Sequence, residues 1–299
     1  MRWYVEAIKR TLGFINGHPL ARKHLLRAYF RFFIWQVKLR LNKDLQKVRF
    51  IGNTHFLAKK GLTGITGNIY AGLHEFPDMS FLIHFLTPED VFFDVGANVG
   101  SYTILASGVC GARSLSFEPV PETFNILKKN VESNRLTHLV KTENRGVGGQ
   151  SAMLKFSAKE DTTNHVIAFD ENESNYVEVP VTDLNSFYPE YKPALIKIDV
   201  EGFETEVLNG GDSLLDDDRL KAIIIELNGS GLRYGFSDRD IHTKLASKNF
   251  KPYSYNPFNR YLEEMETFGK FNTIYIRDIE SVIIKIKKAK SFKVFNEII

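Results

Sequence analysis

Cysteine is nearly absent from this chain, and so are long apolar runs. Cys110 is the one cysteine in 299 residues, which excludes a disulfide framework and a cysteine-ligated zinc site. A lone thiol fits a reducing compartment. The first ten residues contain Glu6, Lys9 and Arg10, and these charges interrupt any apolar signal core. We therefore expect no secretory signal and a cytoplasmic location.

Acidic residues are scarce at the start of the chain, so its charge is unevenly distributed. Residues 1–50 contain twelve Lys/Arg and two Asp/Glu, a net charge of +10, whereas the whole chain carries +3. This segment is aromatic between Arg27 and Leu41, and the longest uncharged run within that stretch is Phe32 to Val37, far shorter than the roughly 20 residues of a membrane span. We predict a basic amphipathic helical extension over residues 1–50, an α/β domain over 51–280 and a helical tail over 281–299.

The basic extension has three interpretations. In the first, Phe30, Phe33, Ile34 and Val37 pack on the α/β domain or on a second copy of the chain, as a homo-oligomer. In the second, the extension lies as a peripheral amphipathic helix on the anionic inner surface of a membrane. In the third, its cations meet the phosphates of a nucleic acid, which is the least favoured partner of the three.

The segment VFFDVGANVG, Val91 to Gly100, lacks the signatures of two common phosphate-binding sites. An apolar strand runs into Asp94 and then into a turn with Gly96 and Gly100, and a helix is predicted from Ser101. Bare backbone at such a turn lets a ligand approach closely. The turn has neither the G-x-G-x-x-G spacing of a dinucleotide site nor the lysine of a P-loop. A cofactor without phosphate, such as S-adenosylmethionine, fits it better.

An acidic residue follows each of four predicted strands. The carboxyl ends of neighbouring parallel strands meet at one edge, where open α/β sheets bind their ligands. An acid about 20 residues beyond the glycine turn accepts from the ribose hydroxyls in such folds, which makes Glu118 a candidate. The pattern predicts a doubly wound, mostly parallel α/β sheet. The four acids are Asp94, Glu118 after Leu115–Phe117, Asp199 after Leu195–Ile198, and Glu226 after Ala222–Ile225.

These motifs resemble the FkbM family of S-adenosylmethionine-dependent methyltransferases. The resemblance runs from about Asn68 to Arg277. It is carried by DVGANVG, by FEPVP and above all by KIDVEGFETEVLNGG followed by IIELN. It implies a seven-stranded class I methyltransferase (Rossmann-like) fold for the domain over 51–280. It also implies methyl transfer to oxygen, often to a hydroxyl of a sugar or a natural product.

The resemblance also implies a set of cofactor-binding residues. Of these, Glu118 would hold the ribose and Val147 would lie beside the adenine. The turn with Gly96 and Gly100, which we call the glycine loop, would line the methionine end. Ser101 and Asp199 join the set because the helix N-terminus and the strand end face the same rim. The expected residues are Asp94, Gly96, Asn98, Gly100, Ser101, Glu118, Val147 and Asp199.

Methyl transfer to a hydroxyl also needs a group that takes up a proton. The sulfonium is already activated, so the enzyme must align the acceptor oxygen and help it to lose its proton. Asp199 and Glu226 are the candidate bases, or the two hold one Mg²⁺ that lowers the pKa of the hydroxyl. His165, in the polar loop Lys159–Ser174, is a further candidate base.

The sequence therefore predicts an S-adenosylmethionine-dependent O-methyltransferase that acts on a carbohydrate hydroxyl in a glycan, glycolipid or natural product. One alternative is an RNA methyltransferase that uses residues 1–50. Another is a catalytically idle, membrane-associated scaffold that retains the cofactor fold. An oxidoreductase of related architecture is disfavoured because the middle glycine of the dinucleotide fingerprint is missing.

Overall fold

A computed structural model describes residues 2–157, 164–168, 175–188 and 190–299. Short 3₁₀ helices cover Ala21–His24, Leu184–Phe187 and Ser230–Tyr234, and a π-helical stretch, Ile104–Val109, continues α5. The α-helices are α1 (Arg2–Gly17), α2 (Leu25–Leu41), α3 (Thr63–Ala71), α4 (Phe76–Phe85), α5 (Ser101–Thr103), α6 (Pro121–Ser133), α7 (Glu204–Asn209), α8 (Asp212–Leu215), α9 (Asp238–Ser247) and α10 (Ile279–Lys288).

The strands of the described residues form one large sheet, a three-stranded sheet and two hairpins. They are β1 (Gln46–Arg49), β2 (His55–Ala58), β3 (Val91–Val95), β4 (Arg113–Phe117), β5 (Val140–Glu143), β6 (Gly146–Val147), β7 (Ala152–Ser157), β8 (Tyr176–Thr182), β9 (Leu195–Ile198), β10 (Ala222–Glu226), β11 (Lys251–Asn256), β12 (Tyr261–Glu264), β13 (Asn272–Ile276), β14 (Lys293–Val294) and β15 (Glu297–Ile298).

The large sheet has eight strands in the order β12-β11-β13-β10-β9-β3-β4-β5. Neighbours from β10 to β5 are parallel, whereas β11, β12 and β13 add antiparallel pairs. The prediction of a doubly wound, mostly parallel class I methyltransferase sheet is confirmed. The predicted count of seven strands is wrong, because β12 folds back on β11 and lengthens that edge.

Helices cover both faces of the sheet, which is why its central strands are largely buried and mostly apolar. Successive residues of a strand point to opposite faces. Phe92 belongs to the core that includes residues of α4 and α10. Its neighbour Phe93 belongs to the core that includes residues of α7 and α9. The edge of the sheet where β3, β4, β9 and β10 end is where a ligand can bind in such a fold.

The amino-terminal segment is largely helical, as predicted, but it turns an unexpected face outward. Ala28 and Trp35 of α2 are buried, whereas Phe30, Phe33 and Ile34 are 63%, 60% and 37% exposed. The interpretation in which these three residues pack on the domain is therefore wrong, because α2 packs through its opposite face. Among the described residues, no helix combines the length and apolar character that crossing a lipid bilayer requires.

The predicted segment boundaries also differ from the observed elements. β1 pairs with β2, so one hairpin crosses the expected boundary at residue 50. The helical tail predicted over 281–299 is wrong beyond Lys288, where β14 and β15 form a hairpin. Burial alternates along this hairpin, because Phe292 and Val294 are buried while Lys293 is exposed, and a period of two favours a strand over a helix.

A small sheet flanks the carboxyl edge of the large one. Its order is β6-β8-β7, and the antiparallel strands β7 and β8 flank the polar loop Lys159–Ser174 in the sequence. Residues 164–168 of that loop are described, and Val166 bridges to Phe156. The polar residues Asp161, Thr162 and Thr163 lie outside the described residues.

Candidate active site

A cavity of about 390 Å³ lies where β3, β4, β9 and β10 end, and we call it the rim cavity. Because these strands are parallel neighbours, their carboxyl ends meet at one edge. Gly100 and His165 are not among its lining residues. The predicted site residues that do line it are Asp94, Gly96, Asn98, Ser101, Glu118, Val147, Asp199 and Glu226.

Gly96 lets the loop after β3 approach the loop after β9. Its φ is +82°, and a Cβ at this position would lie 1.8 Å from the carbonyl oxygen of Asp199, so a side chain does not fit. The amides of Gly96 and Ala97 donate to the Phe117 carbonyl at 3.1 and 2.8 Å, which ties the same loop to β4. The contact between strand ends therefore requires this glycine.

Gly100 has a structural role outside the cavity lining. It precedes α5 with φ +94°, and a Cβ there would lie 2.7 Å from Leu127 of α6. Gly100 is not among the lining residues and a Cβ there would meet α6, so its expected part in cofactor binding stays a prediction. Ser101, which does line the cavity, donates its hydroxyl to the Gly64 carbonyl and accepts from the Asn68 amide.

The Glu118 carboxylate is oriented by backbone amides. Its Oε2 accepts from the Asn98 N–H at 3.0 Å and its Oε1 accepts from the Val120 N–H at 2.9 Å. The residue is 6% exposed, so both bonds are largely shielded from water. Glu118 is therefore held in a fixed orientation at the edge of the cavity, and a carboxylate in this position suits a ligand hydroxyl.

Asp94 fixes the start of α5 against the sheet. Its Oδ2 accepts from the Thr103 hydroxyl at 2.6 Å, and Thr103 Oγ1 lies 2.7 Å from the Ser116 hydroxyl. Burial raises the pKa of Asp94 to about 6, and the hydrogen bond from Thr103 opposes that rise. The side chain thus positions the helix N-terminus that faces the cavity.

Apolar side chains from the small sheet form another part of the lining. Val147 in β6, Phe156 in β7 and the bridged Val166 all line the cavity and are buried. A Cβ on Gly146 would lie 2.8 Å from the ring of Phe156, so the backbone passes close to this aromatic ring. Such a wall suits a flat, weakly polar group such as a purine ring.

The buried Lys197 forms an ion pair with the partly exposed Asp199 at the end of β9. Lys197 Nζ lies 2.6 Å from Asp199 Oδ2 and 4.8 Å from the ring centroid of Tyr102. Burial alone would lower the pKa of Lys197, but the charges of Asp199 and Glu75 raise it above its usual range. Lys197 is therefore an ammonium ion that fixes one oxygen of Asp199.

Glu201 and Glu226 lie beside Asp199. One carboxylate oxygen from each of the three residues lies within 4.8 Å of the others. Burial, followed by the charge of Asp199, raises the pKa of Glu201 to about 7 and that of Glu226 to about 9. Oε2 of Glu226 is buried and has no hydrogen-bond partner among the described residues. Three carboxylates this close require a proton or a cation.

Glu204 shapes the turn that carries Glu201. It is 3% exposed, and its Oε1 accepts from the amides of Val200 and Gly202 at 3.2 and 3.1 Å. Burial raises the pKa of Glu204 to about 7, against those hydrogen bonds. Glu201 itself has φ +54°, a conformation that this turn must hold. Asp199, Glu201 and Glu226 form a group that we call the acidic cluster. Glu204 helps to position this cluster because it holds the turn that carries Glu201.

Glu75 brings a further carboxylate to the cavity from outside the sheet. It directly precedes α4, and its oxygens accept from the Tyr102 hydroxyl at 2.7 Å and from the Asn272 amide at 2.8 Å. Asn272 begins β13. The loop before α4 is therefore fixed to both α5 and the sheet, and it closes one side of the cavity.

The structure does not bring His165 into the cavity. Its amide donates to the Ser157 hydroxyl at 3.1 Å and its carbonyl accepts from the Ser157 amide at 3.0 Å. Its neighbours Asn164 and Val166 line the cavity. Since residues alternate in direction along an extended segment, His165 is turned away. The cavity lining therefore gives no support to His165 as a catalytic base, and that role stays a prediction.

Two cavity residues were missed by the sequence analysis. Lys197 interrupts the apolar strand LIKI, and a charged residue in such a strand is rare without a partner. That signal could have identified it. Glu75 lies in the lead-in segment of the family resemblance, but nothing local distinguishes it from a surface acid. Its position depends on packing between α4, α5 and β13.

Comparison with known proteins identifies a family. The profile described as the Methyltransferase FkbM domain matches residues 94–252, more than half of the chain. This range runs from Asp94 on β3 to the second residue of β11, and it contains the glycine loop, Glu118 and the acidic cluster.

Curated relatives are methyltransferases. "Methyltransferase 1" of Beauveria bassiana is 30% identical over 179 residues, which cover 51% of this chain and 66% of that protein. "Hexuronic acid methyltransferase AglP" of Haloferax volcanii is 30% identical over 162 residues, which cover 54% of this chain and 62% of that protein. The chain thus spans just under two thirds of the length of these relatives.

Among solved structures, a methyltransferase FkbM from Methylobacillus flagellatus is similar with a TM-score of 0.46. It is 14% identical, with 71% of this chain and 52% of that chain covered. TrmK of M. capricolum, solved with S-adenosylhomocysteine, is similar with a TM-score of 0.38 and 13% identity. In that comparison 67% of this chain and 68% of that chain are covered.

Proposed function

Because the chain belongs to the FkbM methyltransferase family, we propose that it transfers the methyl group of S-adenosylmethionine to a hydroxyl of a sugar. One observation carries the proposal. A single cavity joins the glycine loop at Gly96, the backbone-held carboxylate of Glu118 and the carboxylates around Asp199. A cofactor bound along this loop would direct its methyl group toward those carboxylates.

The proposed cofactor site has three parts. The loop at Gly96 and Asn98, with the helix N-terminus at Ser101, would hold the methionine end, because free amides at a helix start favour a carboxylate. Glu118 would accept from the ribose hydroxyls, since both of its oxygens are already oriented by amides. The apolar wall at Val147 would lie against the adenine.

The proposed reaction forms one bond from the acceptor oxygen to the methyl carbon and breaks the bond from that carbon to sulfur. The acceptor proton passes to a carboxylate, and S-adenosylhomocysteine leaves. Asp199 and Glu226 are the proposed proton acceptors, because both line the cavity and a positioned base typically contributes about 10²–10⁴-fold. Asp199 is the better candidate near neutral pH, because a carboxyl group accepts a proton only when ionised and burial raises the pKa of Glu226 to about 9. Lys197 is a positioning residue that orients Asp199 through the 2.6 Å ion pair.

The acidic cluster also fits a divalent cation such as Mg²⁺. Asp199, Glu201 and Glu226 offer the oxygen ligands that Mg²⁺ prefers, and the buried Glu226 Oε2 lacks a partner among the described residues. When bound there, the cation would lower the pKa of the acceptor hydroxyl. A proton on Glu226 is the alternative form of charge compensation, and the two forms differ in their response to a chelator.

The charge of the cavity favours a neutral acceptor. The acids in its lining outnumber the two cations, Arg145 and Lys197, and an excess of negative charge disfavours binding of an anionic group. The lining acids are Glu75, Asp94, Glu118, Asp199, Glu201 and Glu226. The name of the Haloferax relative supports the class of sugar acceptors. We propose a neutral sugar hydroxyl as the acceptor rather than a uronic acid. No residue of 1–50 is among the described residues that line this cavity, which gives the RNA alternative no support here.

The test has two separate readouts. Calorimetry with S-adenosylmethionine and with NAD measures cofactor binding. Transfer of a labelled methyl group to a panel of neutral glycans, uronates and RNA measures activity, with and without a chelator. We expect S-adenosylmethionine to bind and the label to enter a neutral glycan. Cofactor binding without any transfer would favour the idle scaffold, and binding of NAD alone would refute the proposed cofactor.

A further inference from the structure

A second cavity, of about 870 Å³, brings together the two ends of the chain, and we call it the basic groove. Residues of α2, of the β1–β2 hairpin and of the carboxyl-terminal hairpin line it. Of the described residues that line it, none is acidic. Its five cations are Arg27, Arg31, Arg49, Lys290 and Lys293.

Arg31 is the best-fixed cation of the basic groove. Its Nε and Nη2 donate to the Tyr70 carbonyl at 2.9 and 2.7 Å, and its guanidinium carbon lies 3.8 Å from the ring centroid of Phe295. Burial, followed by the charge of Arg27, lowers the pKa of Arg31 to about 10, so it stays charged near neutral pH. A groove that gathers cations without a lining acid attracts anions.

An apolar stripe lies on the outward face of α2, next to the basic groove. The helical repeat of about 100° per residue places its five members on one face. Phe30 belongs to both the stripe and the groove lining, so the two surfaces are continuous. Large contiguous apolar surface marks interaction sites. The stripe consists of Leu26, Phe30, Phe33, Ile34 and Leu41, which are 85%, 63%, 60%, 37% and 82% exposed.

We propose that the apolar stripe and the basic groove form a docking surface for an anionic phospholipid membrane. The stripe enters the interfacial layer of the bilayer, and the groove receives lipid phosphate groups. This combination is typical of helices that lie in the membrane surface. The proposal is independent of the proposed catalytic function, because it uses none of the residues of the rim cavity.

Charge and composition favour a membrane over two other occupants. A second copy placed across a two-fold axis would bring the same patch against itself, so the five cations of each groove would oppose one another. Single-stranded nucleic acid binds through cations and stacked aromatic rings, but Leu26, Ile34 and Leu41 offer no ring for stacking. An anionic bilayer satisfies both the cations and the aliphatic side chains.

Docking at this surface leaves the rim cavity open. Ser101 lines the rim cavity and Val109 lines the basic groove, so the two lie at opposite ends of the helical stretch that begins at Ser101. The two lining sets share no residue among those described. Variants of the docking surface should therefore bind cofactor normally, which separates a failure of this proposal from a failure of the proposed function.

The test is co-sedimentation of the full chain with vesicles at low and high salt. One set contains phosphatidylcholine alone and the other also contains phosphatidylglycerol. We expect binding to the anionic vesicles that weakens in high salt. The variant Phe30→Ser/Phe33→Ser should bind at least about 10-fold more weakly, and Arg27→Glu/Lys293→Glu at least about 25-fold more weakly.

Matched controls place the same changes elsewhere on the surface. Leu232→Ser/Phe271→Ser replaces two apolar residues that are 73% and 72% exposed, and Lys128→Glu/Lys129→Glu reverses two exposed charges. Both controls should bind vesicles as the parent does. All variants should keep the parent's affinity for S-adenosylmethionine and its thermal midpoint.

Four results would overturn the proposal. Equal binding to both vesicle sets would remove the role of lipid charge. Binding of soluble glycerol phosphate, with Phe30→Ser/Phe33→Ser behaving as the parent, would assign the groove to a free phosphate ester. Absence of vesicle binding together with RNA binding in fluorescence anisotropy would assign the surface to nucleic acid. A dimer that dissociates in Phe30→Ser/Phe33→Ser, again without vesicle binding, would assign it to self-association.

Discussion

The rim cavity and the basic groove lie at the two ends of one helical stretch and are built in opposite ways. The rim cavity takes most of its charged groups from neighbouring strand ends and the loops that follow them, with Glu75 as an exception, and it fixes Glu118 with buried hydrogen bonds. The basic groove takes its cations from segments far apart in the chain, and most of them stay in contact with water. The arrangement in the rim cavity suits catalysis, which needs reacting groups at fixed distances. The arrangement in the basic groove suits binding to a deformable, charged surface such as a lipid bilayer.

The largest effect should come from breaking the contact that joins the two loops of the rim cavity. In Gly96→Ala the new methyl group meets the Asp199 carbonyl at 1.8 Å, so the loop must move. We expect a loss of about 3 kcal/mol or more in the free energy of unfolding and no measurable cofactor binding. Urea titration and calorimetry measure these.

Gly235→Ala is the control for backbone strain in that experiment. Gly235 has φ +77°, but a Cβ there meets nothing within 4 Å. The Gly235→Ala variant should lose only about 1–2 kcal/mol in the free energy of unfolding, which is the strain of the left-handed conformation. Its cofactor binding should be unchanged. Equal losses in the two variants would show that the contact with Asp199 does not matter.

Asp199→Asn should separate catalysis from binding within the rim cavity. The amide keeps the shape of the side chain but takes up a proton poorly, so turnover should fall about 100-fold or more. Cofactor affinity should change much less than turnover, because Asn keeps the size and one acceptor oxygen of Asp199. Asp218→Asn, at an exposed position, is the matched control. Retention of full activity in Asp199→Asn would remove this residue from the mechanism.

Glu118→Ala tests the backbone-held end of the rim cavity. The variant loses the acceptor for the Asn98 and Val120 amides as well as for the ribose, so cofactor binding should weaken by about 1–3 kcal/mol. Glu118→Gln keeps one acceptor oxygen and should lose less. Glu122→Gln, on an exposed side chain, should match the parent. Unaltered affinity in Glu118→Ala would refute the ribose assignment.

The smallest predicted effect is a change of stability with pH that depends on His18, in the amino-terminal segment before α2. His18 Nε2 lies 2.7 Å from the Leu73 carbonyl, and its Nδ1 accepts from the Leu20 amide. Burial lowers the pKa of His18 from 6.5 to about 4. The contribution of neutral His18 to the free energy of unfolding is therefore complete above the unfolded pKa of 6.5, and it is lost as the pH falls toward 4.

We expect this histidine to make the chain about 1 kcal/mol less stable at about pH 5.5 than at neutral pH. Urea titrations of the parent and of His18→Gln across this range measure the difference, which should be smaller in the variant. His138→Gln, at an exposed position, should retain the full pH dependence. The same slope in all three proteins would contradict the role of His18.

Much of the rim cavity could be predicted because its signals are local. Asp94, Glu118, Asp199 and Glu226 each follow an apolar run, and parallel pairing alone brings strand ends together. Glu75 could not be predicted in this way, because its place depends on Tyr102 and Asn272, which are far from it in the sequence.

The outer elements were harder to predict for the same reason. α2 carries aromatic residues on more than one face, so its composition did not show that Trp35 is buried while Phe33 is exposed. The strand β12 depends on its pairing with β11. The carboxyl-terminal hairpin has the alternation of a strand, but it is too short to show that pattern clearly.

One pair of contacts links the two ends of the chain. Lys23 and His24 both lie 2.8 Å from the Glu297 carboxylate, across separations of 274 and 273 residues. Closing so large a loop is entropically costly and tends to come late in folding. A partly folded chain would then lack a complete basic groove. Binding to a bilayer through this groove would therefore favour fully folded chains over partly folded ones.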